Sequence, residues 1–288
     1  MAFGLRCGLN RMTEGPEGQG VRGSGGQGVG GRVKQFYRIE HGGRPRHVVA
    51  DNGDWRLVEG DIFGGYEAGE PVGSTGHRLL APVEPSKIVC VGLNYKDHAA
   101  EQKKPLPAEP LLFIKPSTCV IGPGDAIVLP PAAGRVDHEA EAAVVIGRRA
   151  TCVREDQAGD YVFGVTCLND VTARALQDKG VGYTRAKGFD TFAPVGPCIV
   201  QGLDYTSPAG ISVEGWVNGT KRQGSSTREL IFPIPKLVSF ISSIMTLLPG
   251  DIISTGTPSG IGPLEAGDSV TIKVHGVGEL TNPVVNRA

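Results

Sequence analysis

The chain has 288 residues, of which 40% are hydrophobic and 20% charged, an ordinary balance for a soluble globular protein. Its formal net charge of −1 gives no electrostatic reason to expect a nucleic acid or an acidic membrane as partner. Because the sequence lacks both a long uncharged apolar run and a hydrophobic leader, we predict a cytoplasmic protein without a membrane span or signal peptide.

Glycine dominates residues 1–32, where hydrophobic residues show no periodicity, and we predict a disordered Gly-rich leader there. Between residues 33 and 81, short strand-like segments alternate with Gly-rich turns, which predicts a small N-terminal β subdomain. The main domain is predicted to cover residues 85–288. The predicted strands of both parts cover residues 34–40, 46–51, 55–59, 87–92, 111–115, 126–129, 161–169, 251–255 and 269–274.

Helices are few in the predicted main domain. A short helical segment covers residues 94–102, and one amphipathic helix is clear between Pro235 and Pro249, where apolar residues recur at helical spacing as far as Leu248. The predicted fold class is therefore α+β with β structure dominant. Six scattered cysteines never form Cys-x-x-Cys, and several lie in apolar runs, a usage typical of buried free thiols.

Two carboxylates begin an apolar run that is typical of a buried strand at residues 137–146. Because side chains alternate across a strand, Glu139 and Glu141 are predicted to share one face, opposite a face that can fill a core. Buried like charges need a positive partner, and a hard divalent cation supplies one. The alternative is an ordinary solvated strand face, to which such a pair usually belongs.

Four further residues are candidates for a site with these carboxylates. Asp170 follows a predicted strand, either as a third cation ligand or as the N-cap of the next helix. His98 and Glu101 share one face of a predicted helix, as a carboxylate-oriented base requires, although surface helices carry such pairs too. Lys187 is suited to polarising a substrate carbonyl or simply to solvating a surface. Three carboxylates without Cys or His would select Mg²⁺, Mn²⁺ or Ca²⁺ over Zn²⁺.

Seven segments, in order, resemble the fumarylacetoacetate hydrolase family across about residues 85–285. They are residues 89–95 with His98 and Glu101, then 113–117, 138–141, 169–174, 187–191, 217–219 and 255–260. The resemblance implies a mixed β-sandwich or roll, commonly a homodimer, with a His–Glu dyad on a mobile lid. The implied roles are Mg²⁺ (or Mn²⁺ or Ca²⁺) binding by Glu139, Glu141 and Asp170, catalysis by His98, Glu101 and Lys187, and substrate binding by Gln177, Thr257 and Arg174.

The activity that the resemblance implies is metal-dependent hydrolysis of a C–C bond in acylpyruvate-type 2,4-dioxo acids, with a metal-bound pyruvate enolate as leaving group. Such enzymes serve the breakdown of aromatic compounds and act on a small 2-oxo acid, without nucleic acid or membrane as partner. Oxaloacetate decarboxylation and isomerisation of 2-hydroxyhepta-2,4-diene-1,7-dioate stay open, because they use the same enol chemistry. A non-catalytic metal-binding paralogue is disfavoured, because all three carboxylates and Lys187 are present.

Overall fold

A computed structural model of the protein describes residues 33–51, 53–180 and 182–287. The predicted leader at residues 1–32 lies outside this range. Within it, no helix is long and apolar enough to cross a membrane. The described residues form twenty strands, four α-helices and four short 3₁₀ helices, so the expected β-rich α+β fold is confirmed.

The N-terminal strands are β1 (Lys34–His41), β2 (Arg44–Asp51), β3 (Asp54–Asp61), β4 (Gly65–Val72) and β5 (Leu79–Leu80). The central elements are β6 (Lys87–Gly92), α1 (Lys96–Glu101), β7 (Leu111–Pro116), β8 (Val120–Ile121), β9 (Ile127–Leu129), β10 (Val136–His138), β11 (Ala140–Ile146), β12 (Val162–Asn169), β13 (Thr172–Ala173), α2 (Arg174–Gln177) and α3 (Tyr183–Lys187). The C-terminal elements are β14 (Ala193–Gln201), β15 (Ser212–Val217), β16 (Thr220–Ser226), α4 (Ile234–Ile244), β17 (Ile252–Ser254), β18 (Gly262–Pro263), β19 (Ser269–Val274) and β20 (Gly278–Asn286).

Three sheets organise these strands. The largest has the order β4-β3-β2-β1-β14-β12-β11-β17-β6-β7, with β5 paired to β1 and β8 to β14. A second sheet has the order β13-β10-β18, and a third the order β16-β15-β19-β20-β9. The N-terminal strands therefore continue the main sheet, because β1 pairs antiparallel with β14 from Lys34 opposite Gln201 to Phe36 opposite Ile199.

Strand β11 lies in the middle of the large sheet and is buried on both faces. Ala140, Ala142 and Val144 pack into one hydrophobic cluster, which also contains α4 residues and the third sheet. Ala143 and Val145 pack into the opposite cluster, which also receives residues from the N-terminal strands. Burial on both faces explains why this strand is a continuous apolar run rather than an alternating one.

The chain changes sheets at Glu139, a residue outside both flanking strands. Strand β10 ends at His138 and belongs to the second sheet, whereas β11 begins at Ala140 in the large sheet. The backbone NH of Glu139 donates to the Asn169 side-chain oxygen at 3.0 Å instead of to a neighbouring strand. Glu139 therefore lies at the junction between the two sheets, and Glu141 lies two residues beyond it in β11. The end of β12, which Asp170 follows directly, is beside this junction.

Candidate active site

Three acidic residues come together at this junction. Glu139, Glu141 and Asp170 are only 5%, 2% and 1% exposed, so the alternative of a solvated strand face is wrong. One carboxylate oxygen from each lies within 4.8 Å of the others. The backbone NH of Asp170 donates to the Glu139 carbonyl at 2.9 Å, which joins the two ligand-bearing segments. Asp170 does not cap a helix, because α2 has Ala173 as its N-cap.

Two buried lysines form ion pairs with these acidic residues, and both of them contact Asp170. Lys187 Nζ donates to Glu139 Oε2 at 2.8 Å and to Asp170 Oδ2 at 2.5 Å. Lys115 Nζ donates to Asp170 Oδ1 at 2.6 Å and to the Val171 carbonyl at 3.0 Å. Both lysines are nearly inaccessible to solvent, so these ion pairs are what permits their burial. Lys187 is one of the residues predicted from the sequence, whereas Lys115 lies in a family-like segment and had no predicted role.

The charge state of Glu139 is set by its cationic neighbours. Burial alone would raise its pKa, but Lys187 and Arg174 outweigh the burial and lower the pKa of Glu139 to about 2. Arg174 donates to Glu139 and also to Asp137, at 2.9 Å from Nε to Oδ2. Burial would lower the pKa of the Lys187 ammonium, but the carboxylates of Asp170 and Glu139 raise it. Glu139 is therefore ionised at neutral pH.

Glu141 has the opposite electrostatic environment. Burial, followed by the nearby Asp170 carboxylate, raises the pKa of Glu141 to about 8. Among the described residues it makes no ion pair, and its Oε2 atom accepts from the Ser254 hydroxyl and from the Gly256 NH at 2.8 Å. Position 256 requires glycine, because its φ is +103° and an added Cβ would lie 2.8 Å from Asn94 Cβ.

The three carboxylates fit a hard divalent cation. All their donor atoms are oxygens, they converge deep in the protein, and Glu141 lacks a cationic side chain to balance its charge. Such a set favours Mg²⁺, Mn²⁺ or Ca²⁺, because these ions prefer carboxylate oxygens. The coarse expectation of a divalent metal site therefore agrees with these residues.

The expected His–Glu dyad is present on α1. His98 is 5% exposed, and its Nδ1 atom lies 2.9 Å from Glu101 Oε2. Its Nε2 atom lies 2.7 Å from the side-chain nitrogen of Gln102. Because an amide nitrogen can only donate, this orientation makes Nε2 the acceptor and leaves the ring proton on Nδ1, toward the carboxylate. Glu101 also accepts the Gly260 NH at 3.0 Å, which connects α1 to the 255–260 loop.

Gln223 on β16 connects the 255–260 loop to the start of β11. No pattern in the sequence predicted a role for this residue. Its Oε1 atom accepts the Ala140 NH at 2.9 Å and lies 3.0 Å from His138 Nδ1. Its Nε2 atom donates to the Thr257 hydroxyl and the Pro258 carbonyl, both at 2.8 Å. The Thr257 hydroxyl in turn donates to the Ala140 carbonyl at 3.0 Å. One buried amide therefore fixes the Thr257 loop against Ala140, the residue between the two glutamates.

A cavity of about 280 Å³ opens above the acidic residues. Phe113 and Tyr183 stack in its wall, with centroids 4.9 Å apart and ring planes 12° apart. Glu101 does not line the cavity, although it contacts His98, which does. Eight of the nine predicted site residues do line it, namely His98, Glu139, Glu141, Asp170, Arg174, Gln177, Lys187 and Thr257.

Comparisons with known proteins agree with this geometry. A family model described as fumarylacetoacetate (FAA) hydrolase C-terminal matches residues 87–285. A mitochondrial oxaloacetate tautomerase of Xenopus laevis is 41% identical over 72% of this chain and 68% of its own length. The solved structure of a 2-hydroxyhepta-2,4-diene-1,7-dioate isomerase from Mycobacterium marinum has 41% identity and a TM-score of 0.81, covering 88% of this chain and 99% of that chain. A maleylpyruvate hydrolase from Sphingobium has 31% identity and a TM-score of 0.73, covering 88% and 100%.

Proposed function

The chain belongs to the fumarylacetoacetate hydrolase family, and we propose that it is a Mg²⁺-dependent hydrolase that cleaves a C–C bond in small acylpyruvate-type 2,4-dioxo acids. The observation that carries this proposal is the position of His98. Its imidazole, oriented by Glu101, lines the same cavity as the three buried carboxylates. Hydrolysis needs a base for water in addition to a site for the keto acid, and this cavity offers both.

Glu139, Glu141 and Asp170 would hold the ion, with Mn²⁺ or Ca²⁺ as substitutes for Mg²⁺. A divalent ion bound there supplies Lewis acidity to the keto-acid end of the substrate. Lys187 places an ammonium beside the same end, where it stabilises negative charge as the C–C bond breaks. Arg174 donates to the Gln177 side-chain oxygen, so the NH₂ group is the end of this cavity-lining amide that would donate to the substrate.

The attacking water would replace the Gln102 amide as the donor to His98 Nε2. His98 then accepts the proton of that water at Nε2, and Glu101 stabilises the resulting imidazolium through Nδ1. The hydroxide adds to the C4 carbonyl carbon, and the bond between C3 and C4 then breaks. The electron pair of that bond stays on C3, which receives the proton from His98 to give pyruvate. The acyl part leaves as a carboxylic acid, which releases the second proton of the water to solvent and becomes a carboxylate. A positioned base of this kind typically contributes about 10²–10⁴ in rate.

The decisive experiment replaces His98 by alanine and follows the release of pyruvate from a series of acylpyruvates. We expect kcat to fall by about 10²–10⁴, while the metal and oxalate, an analogue of the keto-acid end, still bind, because their proposed ligands are the three carboxylates and Lys187 rather than the imidazole. Glu101→Gln is the matched variant, which keeps the hydrogen bond but not the charge, and should lose less. If His98→Ala turned over acylpyruvates within a few-fold of the unaltered protein, the hydrolytic role would be wrong.

A second candidate is keto–enol chemistry without water attack. The named tautomerase and isomerase relatives are each 41% identical to the chain, whereas the maleylpyruvate hydrolase is 31% identical. Tautomerisation needs only proton movement at C3, and isomerisation of a 2-hydroxy-2,4-diene needs a proton at C5 instead. His98 and Lys187 can serve such proton movement, and decarboxylation of oxaloacetate leaves the carbanion at C3. Oxaloacetate distinguishes these outcomes, since tautomerisation changes only the enol absorbance whereas decarboxylation also releases CO₂ and pyruvate.

Family membership also supports a homodimer. Strand β7 forms one edge of the large sheet and carries the apolar side chains of Leu111 and Ile114, which are 45% and 38% exposed. Exposed apolar residues on an edge strand are suited to contact with a second chain. Light scattering should therefore give twice the chain mass, and a monomer at micromolar concentration would contradict this part of the proposal.

A further inference from the structure

We propose that Lys104 is a specificity residue that binds a second carboxylate, at the end of the substrate farthest from the keto acid. The enzyme would then prefer 2-oxo diacids to 2-oxo monoacids. This inference rests on the proposed function, because it takes the keto-acid end to lie at Glu139, Glu141 and Asp170. It adds what that proposal leaves open, namely what the cavity selects at its other end.

The cavity has a closed end and an open end. The three carboxylates at the closed end are at most 5% exposed, whereas Lys104 lines the same cavity and is exposed to solvent. A molecule that reaches the carboxylates with its keto-acid group must therefore extend its other end outward, toward the rim. At about 280 Å³ the cavity is small, so a short diacid would bring its second carboxylate to this rim.

Lys104 is the lining cation that remains available for a ligand. Lys187 is held by Glu139 and Asp170, and Arg174 is held by Asp137 and Glu139. In contrast, Lys104 makes no side-chain hydrogen bond or ion pair within the part of the chain that the structure describes. An ammonium at the rim of a concave, partly desolvated site attracts a carboxylate more strongly than one on a flat surface.

The backbone fixes Lys104 at this place. After α1 the chain makes a Schellman turn, in which the Lys103 NH donates to the Ala100 carbonyl at 3.1 Å and the Lys104 NH to the Ala99 carbonyl at 3.0 Å. Lys103 occupies the left-handed position of this turn, with φ of +53°, where glycine or asparagine is more usual. Of these two adjacent lysines, Lys104 lines the cavity and Lys103 does not.

Asp178 acts against this attraction. It follows α2, is exposed and lines the same cavity, but it forms no ion pair with Lys104. Its negative charge would weaken binding of a distal carboxylate without removing it. Opposite effects are therefore expected from neutralising the two residues, which distinguishes an electrostatic role at the rim from a general loss of structure.

The test is calorimetric binding of 2-oxoglutarate and 2-oxovalerate, a diacid and a monoacid with the same keto-acid end, to the full chain with Mg²⁺. We expect the unaltered protein to bind 2-oxoglutarate roughly fivefold to tenfold more tightly, as one partly exposed charged contact allows. Lys104→Met should abolish this preference and leave the affinity for 2-oxovalerate within about twofold. Lys103→Asn, the matched control, should retain the preference, and Asp178→Asn should increase it.

Two results with the variants would overturn the proposal. One is an unchanged preference in Lys104→Met, and the other is an equal loss in Lys103→Asn, which would show that only the general surface charge matters. If neither compound bound to the unaltered protein, the keto-acid site itself, and hence the proposed function, would be wrong. If both bound equally well in every variant, the proposed function would stand and the role of Lys104 alone would be refuted.

Discussion

Glu141→Gln is expected to change how the stability of the metal-free protein depends on pH. The pKa of Glu141 is raised from its ordinary 4.5 to about 8, chiefly because the carboxyl is buried. Between these two pH values the folded protein keeps a proton that the unfolded chain has released. The free energy of unfolding must therefore fall as pH rises through this window. At about 1.4 kcal/mol for each factor of ten, the full effect approaches ~5 kcal/mol above pH 8.

Glutamine at this position carries no charge and still offers an oxygen to Ser254 and Gly256, so the variant should lack this loss. We would measure urea unfolding with a chelator from about pH 5 to about pH 9 and compare the variant with the unaltered protein. The variant should become relatively more stable as pH rises. Saturating Mg²⁺ should reverse the order, because the ion replaces the proton in the unaltered protein only. Glu67→Gln removes an exposed carboxylate on β4 and serves as control. A stability difference that did not vary with pH would refute the reasoning.

Three further predictions concern buried polar groups. Lys115→Met should lower the free energy of unfolding by about 3–5 kcal/mol, because Asp170 and the Val171 carbonyl lose their shared donor. Urea unfolding of the chelator-treated protein measures this loss, and saturating Mg²⁺ should reduce it. Gln223→Leu should cost about 1–3 kcal/mol for each polar group left unpaired and should raise KM, whereas Gln223→Glu should recover part of the stability. Tyr95→Phe should be neutral or slightly stabilising in thermal unfolding, because the Tyr95 hydroxyl is buried without a partner among the described residues; a loss above about 1 kcal/mol would contradict this.

Local pattern was enough to predict much of the fold. Residues 87–92 and 269–274 are strands with the predicted bounds, because continuous or alternating apolar runs between turns leave few other choices. Strand β16 could not be found in this way. Its residues, from Thr220 to Ser226, are mostly polar, and it forms because β15 offers a partner at short range. The helix predicted to reach Leu248 ends at Ile244, because Leu247 instead pairs with Ala150 through two backbone hydrogen bonds of 2.9 Å.

Glu139 and Glu141 could be recognised as candidate site residues in the sequence, because charged side chains are unusual in an apolar run. The supporting residues were not visible, because their burial follows from contacts far along the chain. Lys115 lies 55 residues from Asp170, and Gln223 lies 83 residues from Ala140. Lysine and glutamine are also common at exposed positions of strands, so the residue type alone did not indicate that Lys115 and Gln223 are buried. Their burial becomes evident only once the strands are assembled into sheets.

The pairing of β1 with β14 has a consequence for aggregation. Removing residues 33–81, by proteolysis or truncation, would leave the backbone of β14 without its partner from Ile199 to Gln201. It would also strip Phe36 and Val49 from the apolar cluster that contains Ile199 and Val145. An unpaired strand edge beside exposed apolar side chains is a template for intermolecular pairing. The N-terminal strands thus protect the scaffold of the site from self-association, although none of their residues lines the cavity.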